Sequence, residues 1–255
     1  MPSKKNAVAV QEPAGFLALT APNLAERIAE ELDGFDLSFE KIKIPSGGIT
    51  AFEIPGEDGE PAIVKEFCGV ILHQHALNTW YATKYTGGNQ PPDCAAIDGK
   101  HGVKRATGEV CDCADCPRNE FDSGDNGGKA CQNRRRIYIL REGEVFPLLL
   151  SLPTGSLRAF QKYMKLILSR QKFPDQVLTR FSLEKAQNTG GVEFSRARFA
   201  RDRDLSPEEC AAVAPLAAQV RAYSKTVGFD EDVPAEDAPP PEAPPPDDGD
   251  LPPFA

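Results

Sequence analysis

The pattern of apolar and polar residues changes period several times along the chain, and each change predicts an element. Residues 22–33, PNLAERIAEELD, carry a helical period, with a proline near the start and Gly34 just past the end. Strand signals follow. Residues 37–44 and 49–54 flank Pro45-Ser46-Gly47-Gly48, the composition of a hairpin turn. Residues 63–75 form a longer strand candidate, continued by 78–85 after a bend. From 86 to 133, Gly, Pro, Asp, Asn and Cys replace the apolar pattern. So long a stretch without its own core needs a staple if it is ordered at all. Strand periodicity returns over 136–140 and 145–152, around Arg141-Glu142-Gly143-Glu144. Residues 156–170 are the clearest helix. Leu157, Phe160, Met164, Ile167 and Leu168 fall on one stripe, and the charged residues, Arg158, Lys162, Lys165 and Arg170, are all basic. Strands at 177–185 and 191–200 flank Gln187-Asn188-Thr189-Gly190. Ser206-Pro207-Glu208-Glu209 opens a last helix with an N-cap, a first-turn proline and early acids, running to about Lys225.

About seven short strands with one mid-chain helix predict a mainly β protein built as a small closed or partly open barrel. The oligonucleotide-binding (OB) barrel, with five principal strands, is one such fold, and a β-sandwich is the alternative. The organisation expected is an N-terminal arm and short helix (1–33), an OB-like core (34–204) with an insert at 86–133, a C-terminal helix (205–228) and a disordered Pro- and acid-rich tail (229–255).

Charge sharpens this division. The 255 residues carry a net charge of −9, but residues 229–255 hold nine Asp or Glu and no Lys or Arg. Residues 1–127 carry 11 bases and 20 acids, whereas residues 128–203 carry 16 bases and 6 acids. An acidic front, a basic middle and an acidic arm in one chain suggest a polyanion-binding surface with a separate recruiting or competing segment. The N-terminus MPSKKNAVAV lacks an apolar run followed by a cleavage site. The apolar run at 145–152 is far short of the ~20 residues that span a bilayer. A cytoplasmic protein with no membrane partner is therefore expected.

Seven cysteines without an export signal argue against a disulfide framework. Five of them, Cys94, Cys111, Cys113, Cys116 and Cys131, fall within 38 residues of the coreless insert. Cys113 and Cys116 form a C-x2-C knuckle, whose tight turn lets two sulfurs reach one ion. Thiolates alone satisfy tetrahedral zinc. One structural Zn2+ bound by Cys94, Cys113, Cys116 and Cys131 is the expected staple. Cys111 is the rival for Cys113, and His101 is a weaker one. Cys68 and Cys210, in apolar surroundings, read as buried thiols.

Single-stranded nucleic acid is held by cations along the phosphates and aromatic faces under the bases. Both residue types interleave here. Trp80, Tyr81 and Tyr85 accompany Lys84. Arg134, Arg135 and Arg136 precede Tyr138. Arg180 adjoins Phe181, and Arg196 and Arg198 lie on a strand-like run with Phe194 and Phe199. Phe146, Phe160 and Phe181 read instead as core. Enzyme signatures are absent: there is no phosphate loop ending in Lys-Ser/Thr, no G-x-S-x-G and no H-E-x-x-H. The alternative to a single-strand binder is a zinc-ribbon transcription or recombination accessory protein that binds duplex DNA or a protein.

Several motifs also carry a resemblance. Cys113-x-x-Cys116-Pro117-x-Asn119-x-Phe121 is followed by Gly128-Lys129-Ala130-Cys131-x-Asn133-Arg134-Arg135-Arg136-Ile137-Tyr138, then by Phe146-Pro147-Leu148-Leu149-Leu150-Ser151-Leu152-Pro153-Thr154. Together with Asn78-Thr79-Trp80-Tyr81 and Pro91-Pro92-Asp93-Cys94, these runs resemble a group of phage and mobile-element proteins that bind single-stranded DNA. The resemblance covers roughly residues 70–170. It implies an OB-like barrel with a zinc-stapled insertion, a role in DNA replication, recombination or repair, and a bacterial or phage-infected host cell. The additional Cys111 departs from the pattern and leaves the ligand set open. The ending Asp247-Asp248-Gly249-Asp250-Leu251-Pro252-Pro253-Phe254-Ala255 is similar to the acidic tip of bacterial single-stranded DNA-binding proteins. That similarity implies that Asp247, Asp248, Asp250, Leu251, Pro253 and Phe254 recruit replication or recombination proteins. An additional proline before Phe254, and Ala255 after it, depart from that tip. Nothing in the sequence fixes whether the chain forms a homo-oligomer.

Overall fold

The structure is a computed structural model that describes residues 15–21, 24–31, 33, 38–56, 59–83, 91–124, 127–188 and 191–225. The arm 1–14, Lys84, Tyr85 and the whole tail, including Asp247, Asp248, Asp250, Leu251, Pro253 and Phe254, lie outside the described residues.

The fold is mainly β, built on one long strand. Strand β4 (Glu66–Trp80) pairs antiparallel with β8 (Gln132–Leu140) over Val70 to Thr79. Its other edge is shared: β10 (Val177–Gln187) takes Glu66 to Val70, and β5 (Cys94–Ala96) takes Asn78 to Trp80. From these neighbours the sheet extends both ways. β9 (Leu148–Leu152) follows β8, and β1 (Lys41–Ile42) lies parallel beside β9. β6 (His101–Lys104) and β7 (Val110–Asp112) follow β5, and β11 (Glu193–Asp204) follows β10. β2 (Phe52–Ile54) and β3 (Ala62–Val64) form a separate pair. The bend expected between residues 75 and 78 is absent: β4 runs unbroken there, paired with β8 from His75 to Asn78. Its irregularity falls earlier, as a register shift between Ile71 and His73.

Among the described residues three α-helices complete the fold: α1 (Leu24–Glu31), α2 (Thr154–Leu168) and α3 (Pro207–Tyr223). Period-2 alternation gives the sheet two apolar faces. Ile71, Ile137, Ile139, Leu150 and Phe181 join Phe160, Tyr163 and Ile167 of α2 on one face. Val70, Leu72, Tyr138, Leu140 and Leu149 join Val213, Ala217 and Val220 of α3 on the other. α3 begins as its sequence dictates: Ser206 Oγ accepts the Glu209 N–H, and Glu209 accepts the Ser206 N–H at 2.8 Å.

The sheet does not close into a barrel, which corrects the closed alternative. Among the described residues, β1 and β7 end the main path, and β11 pairs with β10 alone. Helix α2 lies against β11 instead. Ser156 Oγ accepts the Ala197 N–H at 2.9 Å, and Tyr163 and Thr179 share a buried hydroxyl contact of 2.7 Å. Gly155 is required at this crossing, since a Cβ there would come within 2.8 Å of the Phe194 ring. The hairpin expected around Pro45 to Gly48 is reduced to one antiparallel bridge, Lys43 to Glu53. Phe160 and Phe181 are buried as expected, but Phe146, expected in the core, is 51% exposed.

Candidate metal centre and nucleic-acid surface

The coreless insert folds as a meander of three short strands, and its cysteines are placed by strand register. Cys94 opens β5 opposite Lys104, Cys111 lies in β7 opposite Gly102, and Cys113 follows at the strand end. Cys116 begins a 3-10 turn, Pro117–Asn119, and the Cys131 N–H donates to the Arg118 carbonyl at 2.8 Å. Five thiols thereby line one cavity of about 20 Å³, together with Asn78, Trp80, Gly102, Arg118 and Asn119. That volume accommodates one ion or water and no organic substrate.

Gly102 is what lets the sulfurs meet. A Cβ there would lie 3.0 Å from Cys94 Sγ, 3.1 Å from Cys111 Sγ and 3.6 Å from Cys113 Sγ. Cys94 and Cys111 belong to strands on opposite sides of β6, so their backbones are about 9–10 Å apart. A disulfide needs Cα atoms within about 7 Å. Sulfurs that converge across an intervening strand suit a shared cation better than a covalent bond. Among the described residues, no three Cys, His, Asp or Glu side chains are drawn up, as they stand, into a set that could hold a metal ion. The donor chemistry nevertheless fits zinc: soft sulfurs from four separate stretches of chain, in an interior with room for one ion. Burial, then the neighbouring thiols, pushes Cys94 up to about 11. The same causes push Cys131 up to about 12. Burial also raises Cys113, against a lowering hydrogen bond from Asn78. His101 does not join the cavity lining; its Nδ1 lies 2.6 Å from Asp98 Oδ2, on the exposed side of the insert. Burial works against ionisation of Asp98, but hydrogen bonds from His101 and Lys100 outweigh it and hold the carboxyl at about 2.

Trp80 ends β4 opposite Cys94 and lines the same cavity. The Arg118 guanidinium carbon lies 3.6 Å from its ring centroid, so one indole face is covered by a cation. Tyr81 follows, partly buried. The structure thus joins Trp80 to the cysteine insert through Arg118, a contact that residue spacing does not reveal.

The expected DNA-contacting cations divide sharply. Arg136 is fully buried and Arg134 is 7% exposed, both within β8. Arg135 is partly buried and donates to Gln74 Oε1. Burial also lowers its basicity. Tyr138 is fully buried, with its hydroxyl 3.3 Å from His75 Nε2. These positions correct the expectation of a surface Arg-Arg-Arg-x-Tyr run: in β8 alternate residues face the two packed layers, so Arg134, Arg136 and Tyr138 are interior. Arg180, Arg196 and Arg198 do lie on the β10–β11 hairpin, but each has a carboxylate partner. Arg180 pairs with Asp202, Arg196 with Glu184 at 2.6 Å, and Arg198 with Glu184 at 3.5 Å. Lys185, Arg201 and Arg203 on the same hairpin are likewise paired, with Glu193, Asp204 and Glu209.

A further set of cations lies on α2 and the turn that follows it. Arg158, Lys162, Lys165 and Arg170 are all exposed, and among the described residues no carboxylate lies within ion-pair distance of them. Their all-basic pattern was legible in the sequence; their lack of partners was not. Compared with known proteins, the chain matches no family model, no curated protein and no solved structure. Among the described residues no helix is long and apolar enough to cross a membrane.

Proposed function

We propose that this chain is a non-enzymatic single-stranded DNA-binding protein whose insert is stapled by one structural zinc ion. The observation that carries the reading is where the basic segment folds. Residues 128–203, with 16 bases against 6 acids, form β8, β9, α2, β10 and β11, joined through β4 in one open sheet. We read the open arrangement of β4, β8, β9, β10 and β11 as OB-like, the architecture that serves oligonucleotide binding elsewhere. Zinc would be held by Cys94, Cys113, Cys116 and Cys131, with Cys111 as the alternative donor to Cys113. The ion would supply folding free energy rather than reaction chemistry. Asn119 supports the knuckle by donating from Nδ2 to the Cys113 carbonyl at 2.7 Å.

The acidic ending of the chain completes the reading. Asp247, Asp248, Asp250, Leu251, Pro253 and Phe254 would recruit a replication or recombination enzyme, the phenylalanine entering an apolar pocket while the aspartates meet a basic rim. The test is binding of the full chain to labelled oligothymidine and to a duplex of equal length, across a salt series. Preferential single-strand binding that weakens steeply with salt is expected. Preference for the duplex would replace this reading with the zinc-ribbon accessory one. Strand cleavage with added magnesium or manganese would replace it with a nuclease.

A further inference from the structure

We infer that the outer face of helix α2, formed by Arg158, Lys162 and Lys165, with exposed Arg170 in the turn that follows the helix, is the phosphate-binding surface of the protein. The inference rests on the single-strand reading above and names the surface that performs it.

The argument begins with helical geometry. Ser156, Phe160, Tyr163 and Ile167 are buried against the sheet. At 100° per residue, Arg158 and Lys165 lie within about 10° of the opposite pole and Lys162 within about 50°, all facing solvent. At 1.5 Å per residue, the stripe from Arg158 to Lys165 runs about 10 Å, long enough to meet successive phosphates of an extended strand.

Electrostatics separates this stripe from the basic β10–β11 hairpin. On β10 and β11 all six cations have a carboxylate partner, and Lys172 just beyond α2 pairs with Asp204 at 3.2 Å. α2 contains no acid at all. Like charges at i,i+4 and i,i+3, such as Arg158 with Lys162 and Lys162 with Lys165, destabilise an isolated helix. The missing counter-charge is what a polyanion supplies. A guanidinium already committed to Asp202 or Glu184 must first lose that partner to take a phosphate, whereas an unpaired one need not. The β8 arginines are further excluded by burial. Leu166 and Leu168, 44% and 46% exposed, border the stripe and give bases an apolar surface to rest on.

The experiment compares two variants of the full chain by anisotropy of labelled oligothymidine over a salt series. One carries Arg158→Gln, Lys162→Gln, Lys165→Gln and Arg170→Gln. The other carries Arg180→Gln, Arg196→Gln and Arg198→Gln. Single strands release about 0.7 counterions per phosphate contact, so the α2 variant should lose about 3 units of salt slope and at least tenfold in affinity at low salt. The hairpin variant should stay within about twofold of the parent. If the parent binds oligothymidine and the α2 variant binds equally well, this inference is overturned while the single-strand reading stands. If the parent does not bind, that reading itself fails. Because a multiple variant can misfold, lysine acetylation of the unmodified protein provides a second measurement. Bound oligothymidine should protect Lys162 and Lys165 at least threefold and leave Lys185 unprotected. Equal labelling of all three with and without oligothymidine would overturn the assignment.

Discussion

Gly102→Ala is the most economical test of the thiol-lined cavity, because it adds a single carbon where three sulfurs converge. The new Cβ would stand 3.0 Å from Cys94 Sγ and 3.1 Å from Cys111 Sγ, inside ordinary van der Waals contact, and 3.6 Å from Cys113 Sγ. Gly102 has no positive φ to protect, so the backbone itself accepts alanine. Replacing a strand glycine should even gain about 0.5–1 kcal/mol. Against that gain stands overpacking, about 1–3 kcal/mol when the surroundings cannot yield. In the metal-free chain the thiols can rotate away, and the two effects should nearly cancel. With zinc bound, each sulfur is fixed about 2.3 Å from the ion and cannot retreat. The penalty then falls on the metal-bound state, equivalent to about 5- to 150-fold weaker zinc binding at 1.4 kcal/mol per tenfold. The assay is competition for zinc against a chromogenic chelator, with thermal unfolding measured for both forms. Unchanged zinc affinity in Gly102→Ala would refute the idea that the sulfurs close on an ion beside Gly102. Absence of zinc from protein purified without chelators would refute the metal centre altogether.

Three further outcomes follow from the same geometry. Cys116→Ser should lower zinc content most, since Cys116 belongs to every plausible ligand set, and comparing Cys111→Ser with Cys113→Ser by metal analysis identifies the remaining donor. Chelation should change Trp80 fluorescence, because the indole lines the thiol cavity beneath Arg118, and Arg118→Ala should blunt that change; emission indifferent to both would uncouple Trp80 from the insert. His73 is held at about 4 by burial, with His75, Arg221 and Lys225 adding repulsion. Its folded pKa lies below the unfolded 6.5, so the unfolded chain binds the extra proton. Stability should therefore fall as pH drops from about 6.5 towards 4, and denaturant titrations of His73→Gln should show a smaller loss over that window.

Local rules settled much of this chain. Helical periodicity predicted α2 within two residues at either end, and the Ser206 box predicted the start of α3. The apolar run at 136–140 predicted the second half of β8, and the alternation in 177–185 predicted β10, because side chains that face a packed layer in a strand recur every second residue. Clustering alone marked Cys94, Cys113, Cys116 and Cys131, and the structure brings those four to one cavity. Tertiary structure decided what pairwise, long-range contacts decide. It placed Cys111 beside Cys94 through Gly102, two strands apart and invisible in spacing. It buried Arg134 and Arg136, which a sequence reads only as charge. It drew Asp202 and Glu184 onto the hairpin arginines and, among the described residues, left Arg158, Lys162 and Lys165 without carboxylate partners. Whether a charge is free depends on which distant segment folds against it. No local pattern encodes that, and only the packed sheet could separate the neutralised cations from the available ones.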